Sequence, residues 1–284
     1  MQILVTGATG FIGNYVIDRL LQLGHEVIAS SANAAKAATM PWYPKVKYTA
    51  FDFEAFDASA DYFSYFGKPD CMVHLAWEGL PNYKSAFHTE LNLPRHKALL
   101  TNMIENGLSD LTVTGTCFEY GMQEGMLKED MQVFPANPYA IAKNELRIFL
   151  EELAAEKHIH FKWARLFYMY GKGQNPNSLL SQLERAIANG DEQFNMSGGE
   201  QVRDFLPVEK VAEYIAAIAL QNRTTGVINC CSGIPVSVTQ LVEDYLAEKN
   251  KTIKLNRGFY PYPDYEPMCF WGDNTKLKTI LNNE

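Results

Sequence analysis

Residues 2–13, with the sequence QILVTGATGFIG, decide the fold of this chain. The apolar run at its start predicts a short buried strand, and the three glycines that follow have the spacing G-x-x-G-x-x-G. A tight turn at Gly7, a close backbone approach at Gly10 and helix packing at Gly13 are typical of a pyrophosphate site at a helix N-terminus. The spacing differs from G-x-G-x-x-G, and a glycine-rich turn without a ligand is the alternative.

Strand-like and helix-like stretches alternate after this glycine loop. Apolar residues recur at helical spacing from Ile12 to Leu20, and Gly24 is expected to end that helix. Further strands are expected at residues 25–30, 46–51, 71–76, 111–114 and 161–166, with long helices at 94–106 and 138–157. Such alternation predicts an α/β fold with a doubly wound parallel sheet of the Rossmann type.

The alternation loosens beyond Gly171. Helices are expected at residues 178–189, 208–220 and 238–249, and a strand at 227–230. We therefore predict a dinucleotide-binding domain at residues 1–171, to which residues 201–250 return. Residues 172–200 and 251–284 are expected to form a small C-terminal substrate-binding lobe, because aromatic residues lie there among turn-forming prolines.

Composition narrows the class of protein. The chain has 284 residues, 47% of them hydrophobic, which is ample for a large core. Its net charge of −8 argues against nucleic-acid binding, which requires clustered Lys and Arg. Its five cysteines form no C-x-x-C pair, so free buried thiols and no metal site are expected. Since the chain starts with a strand-like segment and has no run of about 18 apolar residues, we expect a cytoplasmic protein without a membrane partner.

Residues 137–143, NPYAIAK, combine a turn with the start of a helix. Pro138 suits the first helical position, and Tyr139 and Lys143 then lie one turn apart on the same face. A nearby ammonium would lower the tyrosine pKa from about 10, which makes Tyr139 a candidate proton donor near neutral pH. Tyr-x-x-x-Lys occurs at three other places in the chain, but only this copy starts a helix after a proline-rich turn.

The glycine loop and the Tyr139/Lys143 pair together resemble the extended short-chain dehydrogenase/reductases. The resemblance is specifically to their NAD(P)-dependent epimerase/dehydratase group, which acts on nucleotide-diphosphate sugars. Further matching segments follow in the same order along nearly the whole chain: Asp52-Phe53, His74-Leu75-Ala76, Asn92, Thr116 five residues before Gly121, Arg165, Tyr170-Gly171, Gly173-Gln174, residues 199–205 (GEQVRDF), Ser232-Gly233 and Ser237. Each match is weak, but their order and spacing are specific.

This resemblance implies roles for individual residues. Tyr139 would be the acid/base, Lys143 would bind the nicotinamide ribose, and Thr116 would hydrogen-bond the reacting sugar oxygen. The implied cofactor-binding residues are Gly7, Thr9, Gly10, Phe11, Ile12, Gly13, Ser30, Ser31, Asp52, Phe53, Leu75, Ala76, Trp77, Asn92, Tyr139 and Lys143. The implied substrate-binding residues are Trp77, Thr116, Cys117, Phe118, Tyr139, Tyr168, Arg203, Tyr260 and Tyr262.

Arg203 is expected at the substrate diphosphate, because an acidic protein needs a specific cation there. Its alternative is a surface arginine paired with Asp204 or Glu200. The aromatic residues after the fourth strand and in the tail could bind a nucleotide-linked sugar, or could only cap the core.

Three departures from the family pattern narrow the activity. Cys117 and Phe118 follow Thr116, where the 4,6-dehydratases of the family carry Asp-Glu, so a dehydratase is not expected. Tyr168 replaces an Asn that contacts substrate in many members. A cysteine near this position serves epimerisation in some family reductases, but the offset of Cys117 differs by one residue, which favours an inert buried thiol.

The second strand bears on the choice of cofactor. NAD preference usually needs a carboxylate at its end to bind the ribose hydroxyls, and residues 27–33, VIASSAN, contain none. Ser30, Ser31 and Lys36 could bind a 2′-phosphate, so NADP(H) is favoured and NAD(H) is the alternative.

These features favour net reduction over epimerisation. The expected activity is NADPH-dependent reduction of a nucleotide-diphosphate 4-keto-6-deoxyhexose, such as dTDP-4-keto-6-deoxyglucose. The alternatives are a nucleotide-sugar 4-epimerase with tightly bound NAD, and a non-catalytic protein that senses the dinucleotide. The resemblance also implies a homodimer formed through the helices at residues 94–106 and 138–157.

Overall fold

The computed structural model describes residues 1–282. In that range the strands are β1 (Gln2–Thr6), β2 (Glu26–Ser30), β3 (Lys47–Tyr48), β4 (Cys71–His74), β5 (Asp110–Thr116), β6 (Gly125–Leu127), β7 (His160–Leu166), β8 (Tyr168–Tyr170), β9 (Gln193–Asn195), β10 (Val202–Pro207), β11 (Gly226–Cys230), β12 (Pro235–Ser237), β13 (Lys254–Asn256) and β14 (Phe270–Gly272). The helices are α1 (Phe11–Gln22), α2 (Ala34–Ala38), α3 (Tyr62–Tyr65), α4 (Leu93–Glu105), α5 (Pro138–Lys157), α6 (Leu179–Asn189), α7 (Val208–Leu220), α8 (Val238–Glu248) and α9 (Thr275–Leu281).

The main sheet is parallel throughout the described chain. Its strand order is β11-β7-β5-β4-β1-β2-β3, so the order reverses between β1 and β4. In doubly wound folds, ligands bind beyond the carboxyl ends of the strands at this switch point. The predicted fold class is therefore confirmed.

Successive residues of β1 face opposite sides of the sheet, as a strand buried on both faces requires. Ile3 and Val5 pack with residues of α1 and α7, whereas Leu4 packs with residues of α4 and α5. Helices thus cover both faces, and the apolar character of β1 follows from this double burial.

Most elements lie where the sequence predicts them, and α5 and α7 match their predicted bounds. The third strand is shorter than the predicted 46–51, because only Lys47 and Tyr48 pair regularly at the sheet edge. Beyond them, Thr49 N donates a hydrogen bond to the carbonyl of Ala29 in β2, and Phe51 N donates one to the carbonyl of Ser31, just after β2. The predicted strand is therefore an irregular continuation of the edge.

The C-terminal part packs in two directions. Helix α7 packs on α1, and β11 forms the sheet edge, as expected for a segment that returns to the first domain. Helix α8, which the predicted division assigned to that domain, packs instead with α6 and β9 around Leu183, Phe194 and Val242. Helix α9, assigned to the lobe, packs against α7 and β11 through Leu277 and Ile280. The lobe is thus built around α6, β9, α8 and β13.

A helix that crosses a membrane must be both long and apolar. No helix within residues 1–282 has the length and apolar character needed to cross a bilayer.

Candidate active site

The glycine loop joins β1 to α1 at the switch point of the sheet. Gly7 has φ of +69°, and a Cβ there would lie 2.7 Å from the backbone nitrogen of Ala76. A Cβ on Gly13 would collide with the carbonyl oxygen of Gly7. Both positions therefore require glycine. Gly7 requires it because of its positive φ and because a Cβ would clash, and Gly13 only because a Cβ would clash.

Helix α1 begins without a side-chain cap. Gly10 occupies the N-cap position, its missing side chain leaves the first-turn N–H groups uncapped, and no acidic residue lies in that turn. Free N–H groups and the positive end of the helix dipole together attract an anion. The observed geometry is thus that of a phosphate-binding turn.

Two adjoining cavities flank this turn. The adenosine-side cavity, as we call it, has a volume of about 230 Å³ and lies between the glycine loop, the end of β2 and residues that follow β4. The catalytic cavity has a volume of about 530 Å³ and extends from the glycine loop to Thr116, Tyr139 and Tyr168. Both are lined by Gly7, Gly10, Leu75 and Trp77, so they form one groove across the carboxyl edge of the sheet.

Tyr139 and Thr116 meet in the catalytic cavity. The turn before α5 is capped by Asn137, whose side chain accepts a hydrogen bond from Ala140 N at 2.9 Å. This cap places Tyr139 in the first turn, 7% exposed, with its phenol beside the Thr116 hydroxyl. Thr116 itself ends β5. Two hydroxyls from distant segments therefore converge at one point of the cavity wall.

The pKa of Tyr139 is raised, which corrects the expectation that Lys143 would lower it. Burial is the main cause, and the neighbouring Tyr83 and Glu119 raise the pKa of Tyr139 further. The nearby Thr116 hydroxyl opposes them. Tyr139 is therefore a protonated phenol at neutral pH, and is able to donate a proton.

Lys143 is turned away from the cavity by two contacts. Its ammonium donates to the carbonyl of Thr114 at 2.9 Å and lies 4.1 Å from the ring centre of Trp77. Burial lowers the pKa of Lys143 to about 7, and the Glu119 carboxylate opposes that shift. Because the ammonium is partly deprotonated near neutral pH and is held by the Thr114 carbonyl and the Trp77 ring, Lys143 does not depress the pKa of Tyr139.

Glu119 anchors the turn that carries Thr116. Its fully buried carboxylate accepts hydrogen bonds from Thr116 N at 2.8 Å and from the Trp163 indole at 3.0 Å. It also pairs with Arg165, whose Nη2 lies 2.8 Å away. The spacing T-x-x-E is a capping-box signal in the sequence, although sequence reasoning did not single out Glu119.

A chain of imidazoles lies under the groove. Sequence reasoning named His74 only as part of a matching segment, and did not single out His96. The Thr6 hydroxyl is 2.8 Å from His74 Nδ1, and His74 Nε2 is 2.7 Å from His96 Nδ1. Burial lowers the pKa of His74 to about 3, so this ring is neutral. The His96 ring stacks on Trp77 with 4.7 Å between ring centres. These rings support the indole that separates the two cavities.

Trp77 is fixed on its other side by His88. The indole N–H donates to His88 Nδ1 at 3.1 Å, and Asn92 Nδ2 approaches the same nitrogen at 3.4 Å. Because Nδ1 accepts, His88 carries its proton on Nε2, which donates to the carbonyl of Asn82 at 2.9 Å. Asn92 therefore acts here by orienting the residues around Trp77.

The structure brings most of the predicted site residues to the groove. Those that line the groove are Gly7, Thr9, Gly10, Phe11, Ile12, Gly13, Ser30, Ser31, Phe53, Leu75, Ala76, Trp77, Thr116, Cys117, Phe118, Tyr139 and Tyr168. Those placed away from its wall are Asp52, Asn92, Lys143, Arg203, Tyr260 and Tyr262. Asp52 caps a short turn by accepting from Glu54 N, and Tyr260 is 50% exposed.

Arg203 is buried behind the catalytic cavity. Its Nε and Nη2 donate to Glu266 at 3.2 and 3.0 Å, and its Nη1 donates to the carbonyls of Val202 and Met268. The guanidinium also lies 5.7 Å from the ring centre of Tyr168, which lines the cavity. The carboxylate partner is Glu266, and not Asp204 or Glu200 as the alternative expected.

The cysteines are free thiols, and all but Cys269 are buried. Burial raises the pKa of Cys117, the one of the five that lines the catalytic cavity, which keeps it protonated. Among residues 1–282 no group of three or more His, Cys, Asp or Glu could hold a metal ion.

Comparison with known proteins bears directly on this site. Residues 3–231 match the model of the NAD dependent epimerase/dehydratase family. The chain belongs to this family. The resemblance inferred from the sequence is thereby confirmed, and the protein is an enzyme of the NAD dependent epimerase/dehydratase family.

Two curated relatives of this family member come from Aggregatibacter actinomycetemcomitans. The chain is 31% identical over 273 residues to dTDP-6-deoxy-L-talose 4-dehydrogenase (NAD(+)), covering 96% of this chain and 99% of that protein. It is 27% identical over 293 residues to GDP-6-deoxy-D-talose 4-dehydrogenase, covering 100% and 92%. Among solved structures, UDP-glucuronic acid 4-epimerase from Bacillus cereus, in complex with UDP-glucuronic acid and NAD, superposes with a TM-score of 0.82. That structure is 23% identical, covers 100% of this chain and 94% of its own, and shows the shared fold.

The site of this family member fits a nicotinamide dinucleotide. The uncapped first turn of α1 would hold the pyrophosphate, and the missing side chains of Gly7 and Gly10, which line both cavities, leave room for it to approach the backbone. The adenosine-side cavity would hold one nucleoside and the catalytic cavity the other. When bound, the dinucleotide supplies or accepts hydride, and the chain orients it.

Proposed function

We propose that this epimerase/dehydratase family member catalyses reversible reduction of the 4-keto group of a nucleotide-diphosphate 6-deoxyhexose, as a 4-ketoreductase or 4-dehydrogenase. The observation that carries the proposal is the pair of hydroxyls, Thr116 and Tyr139, at one point of the catalytic cavity. One oxygen of a ligand can accept hydrogen bonds from both. That arrangement suits a carbonyl that becomes a hydroxyl, because the oxygen gains a proton as hydride reaches the carbon.

The state of Tyr139 supports proton donation. Its raised pKa keeps the phenol protonated, so it can protonate the sugar oxygen in the direction of reduction. In the reverse direction the same oxygen would have to lose its proton to Tyr139, which requires the phenolate. This protonation state of Tyr139 therefore suits the reducing direction of the reaction.

The turn after Thr116 argues against dehydration. Cys117 and Phe118 line the cavity, and neither is an acid or base suited to removing water. Glu119 is the acid in this turn, but its carboxylate is held by Trp163 and Arg165 inside the protein. Elimination needs an acid and a base in contact with the sugar, and this turn offers neither.

The choice of sugar rests on the relatives. The protein that covers 96% of this chain at 31% identity is named for dTDP-6-deoxy-L-talose and position 4. A second relative is named for a GDP-linked 6-deoxytalose and the same position. We propose a dTDP-linked 4-keto-6-deoxyhexose as the substrate, with the GDP-linked analogue as the first comparison.

We propose NAD(H) as the cofactor of this reaction. The relative of 31% identity is named for NAD(+), and no Lys or Arg lines the adenosine-side cavity to bind a 2′-phosphate. The Ser31 hydroxyl is 3.1 Å from the Tyr48 hydroxyl, so it is partly engaged already. The preference for NADP(H) inferred from the sequence stays a prediction, because the end of β2 also lacks a carboxylate that would repel the phosphate.

The test is a panel assay on the purified protein. NADH or NADPH would be mixed with dTDP-, GDP-, UDP- and CDP-linked 4-keto-6-deoxyhexoses, and absorbance of the reduced dinucleotide would be followed. We expect NADH oxidation with the dTDP-linked sugar and none with the Tyr139→Phe variant. Silence across the whole panel would refute the proposal.

The second candidate is a nucleotide-sugar 4-epimerase with tightly bound NAD. The UDP-glucuronic acid 4-epimerase of the same fold and the curated UDP-glucose 4-epimerase from Bacillus subtilis, 25% identical, favour it. Denaturing the purified protein and identifying any released dinucleotide separates the two. Stoichiometric NAD, together with interconversion of C4 epimers without added dinucleotide, would favour the epimerase.

We further propose a homodimer formed through α4 and α5. Leu91, just before α4, is 44% exposed, and Ile148 on α5 is 41% exposed. Exposed aliphatic residues on neighbouring helices suit a helical interface. Light scattering coupled to size-exclusion chromatography would show a dimer, and the Ile148→Glu variant should be monomeric.

A further inference from the structure

The far end of the catalytic cavity is closed by a wall with a buried charge behind it. Tyr83, Cys117 and Tyr168 form this wall. The carboxylate of Glu266 lies behind it, since its partner Arg203 is 5.7 Å from the Tyr168 ring centre and the adjacent Tyr265 ring is 6.2 Å from that of Tyr83. Glu266 is also the ion-pair partner of Arg203. A cation and an anion thus neutralise each other beside a ligand cavity.

The guanidinium of Arg203 has two differently used edges. Its Nη1 donates to two backbone carbonyls, of Val202 and Met268, at 2.8 and 3.1 Å. Its Nε and Nη2 both donate to one oxygen of Glu266. The backbone edge fixes the side chain in place, and the other edge presents the parallel N–H pair that carboxylates and phosphates bind.

Glu266 belongs to a segment that we call the strap, residues 261–267. The strap contains no helix or strand, and in the described chain no backbone–backbone hydrogen bond holds its residues 261–267. Its side chains attach it instead: Tyr265 packs against Tyr83 and Phe118, with ring centres 6.2 Å apart in both cases. Such a segment moves more readily than one held in a sheet.

An exposed ion pair joins the strap to the segment that follows Tyr83. Lys84 lies 3.2 Å from Asp264, and their side chains are 65% and 82% exposed. Exposed ion pairs of this kind contribute little stability. The strap therefore covers Tyr83 and the end of the cavity, and the ion pair of Asp264 contributes little to holding it there.

We infer that Glu266 occupies, with its own carboxylate, an anion position on Arg203 that a phosphate oxygen of a nucleoside diphosphate takes when the ligand binds. This inference rests on the proposed function for its ligand class. The Nε and Nη2 donors pass from carboxylate to phosphate, while the backbone carbonyls keep the guanidinium in place. The strap then swings away with Glu266, and the Lys84–Asp264 pair opens. Ligand binding and opening of the strap thus occur together, because the phosphate replaces the Glu266 carboxylate on Arg203.

This exchange makes Glu266 a determinant of affinity for the ligand anion. A nucleoside diphosphate must displace a carboxylate from the guanidinium before it can bind. Replacing Glu266 by an uncharged isostere leaves the cation unpaired and removes the competitor. The variant should then bind the diphosphate more tightly, although an ion pair has been lost.

The test measures binding without turnover. Free dTDP would be titrated calorimetrically, at constant ionic strength, into wild type, Glu266→Gln, Arg203→Met and Glu243→Gln. Glu243 is the matched control, since it is a half-exposed glutamate paired with Arg257 away from the cavity. We expect Glu266→Gln to bind dTDP about tenfold more tightly, Arg203→Met at least tenfold more weakly, and Glu243→Gln like wild type.

A second variant covers the case in which Glu266→Gln does not fold. Asp264→Asn removes the exposed ion pair with Lys84 and leaves Arg203 and Glu266 intact. We expect it to bind dTDP about threefold more tightly, because the closed strap is weakened. Unchanged or weaker binding in Asp264→Asn and in any folded Glu266→Gln would overturn the inference, as would an Arg203→Met variant that binds dTDP like wild type.

The outcome is separable from that of the proposed function. If dTDP binding responds to Glu266 but no 4-keto sugar is reduced, the inference stands and the proposed activity fails. If a dTDP-sugar is reduced while dTDP binding ignores Glu266 and Arg203, the activity stands and the inference fails.

Discussion

The two ends of the groove are built in different ways. The dinucleotide end is formed largely by the backbone of one continuous stretch, residues 6–13, and by the residues that follow β4. The substrate end is formed by side chains from separate segments, among them Tyr83, Cys117, Tyr139 and Tyr168. The first end depends on the absence of side chains, and the second on their hydrogen bonds and charges. The two ends should therefore respond to different substitutions.

The largest difference between the effect on the rate and the effect on NADH affinity is expected from Tyr139→Phe. This change removes the proton donor and leaves the ring that packs near Trp77 and Tyr83. The rate of ketone reduction should fall by about 10²–10⁴, the usual contribution of a general acid. NADH affinity, measured by fluorescence titration, should change far less than the rate, because the ring remains and the pyrophosphate turn is untouched.

Tyr245→Phe is the matched control for that experiment. Tyr245 and Lys249 share the Tyr-x-x-x-Lys spacing, but Tyr245 lies on α8 in the lobe. Its replacement should leave the rate unchanged. A comparable loss of rate in both variants, or a parallel loss of NADH affinity in Tyr139→Phe, would contradict the division between the two ends.

Glu119→Gln tests whether the substrate end depends on buried charge. The substitution leaves Arg165, 1% exposed, without its ionic partner. Breaking one side of a buried pair typically costs about 3–5 kcal/mol of the free energy of unfolding. Urea denaturation measures this loss. The Thr116 turn should loosen in the same variant, since Thr116 N keeps only a neutral acceptor.

The more exposed pair Arg147–Glu151 on α5, 14% and 36% exposed, provides the control for Glu119. Its glutamate side chain lies one helical turn from the arginine. Glu151→Gln should cost about 0.2–1 kcal/mol, as exposed pairs do. If the two variants were equally stable, the buried pair would not be the anchor of the catalytic turn.

The same division explains what the sequence could predict. The glycine loop is a local pattern whose conformation follows from three glycines after an apolar strand, so its residues were identified by spacing alone. Glu266, Tyr265 and Tyr83 meet only through the tertiary fold, and no local spacing marks them. Arg203 was expected at the substrate diphosphate, but the partner that the structure gives it, Glu266, lies 63 residues away in sequence.

The pKa of Tyr139 shows a second limit of sequence reasoning. The spacing of Tyr139 and Lys143 places both on one face of α5, but the direction of a long side chain depends on its surroundings. The Thr114 carbonyl and the Trp77 ring hold the ammonium, and burial then dominates both pKa values. The charge at Lys143 depends on burial, which no helical spacing reveals.

Gly7→Ala tests the dinucleotide end with a matched control. Gly7 and Gly24 have φ of +69° and +80°, so alanine carries similar backbone strain at both. An added Cβ meets backbone atoms of Ala76 only at Gly7, whereas nothing lies within 4 Å at Gly24. NADH affinity should fall about tenfold or more in Gly7→Ala and stay unchanged in Gly24→Ala.

Gly10→Ala extends this test if Gly7→Ala does not fold. Gly10 lines both cavities, and its Cβ would lie 3.0 Å from the Gly7 carbonyl. The added methyl group should lower NADH affinity while thermal stability stays near that of wild type. Tight NADH binding by both variants would show that the dinucleotide does not approach this backbone.

Lys143 lies between the two ends, and its expected effect is a dependence of stability on pH. Its pKa is lowered to about 7 in the folded protein from 10.5. Below pH 7 the lysine is protonated in both folded and unfolded chains, so it adds no pH dependence. Between about pH 7 and 10.5 the unfolded chain binds the proton and the folded one does not. Raising the pH through this window therefore stabilises the folded state.

The measurement is the difference in unfolding free energy between wild type and Lys143→Met as a function of pH, from urea denaturation without ligand. That difference should rise by up to about 1.4 kcal/mol per pH unit in the window and be flat below it. A flat difference throughout would mean that Lys143 keeps its charge in the folded protein. The ammonium would then be available to Tyr139 before any dinucleotide binds, and the boundary between the two ends would not lie at Trp77.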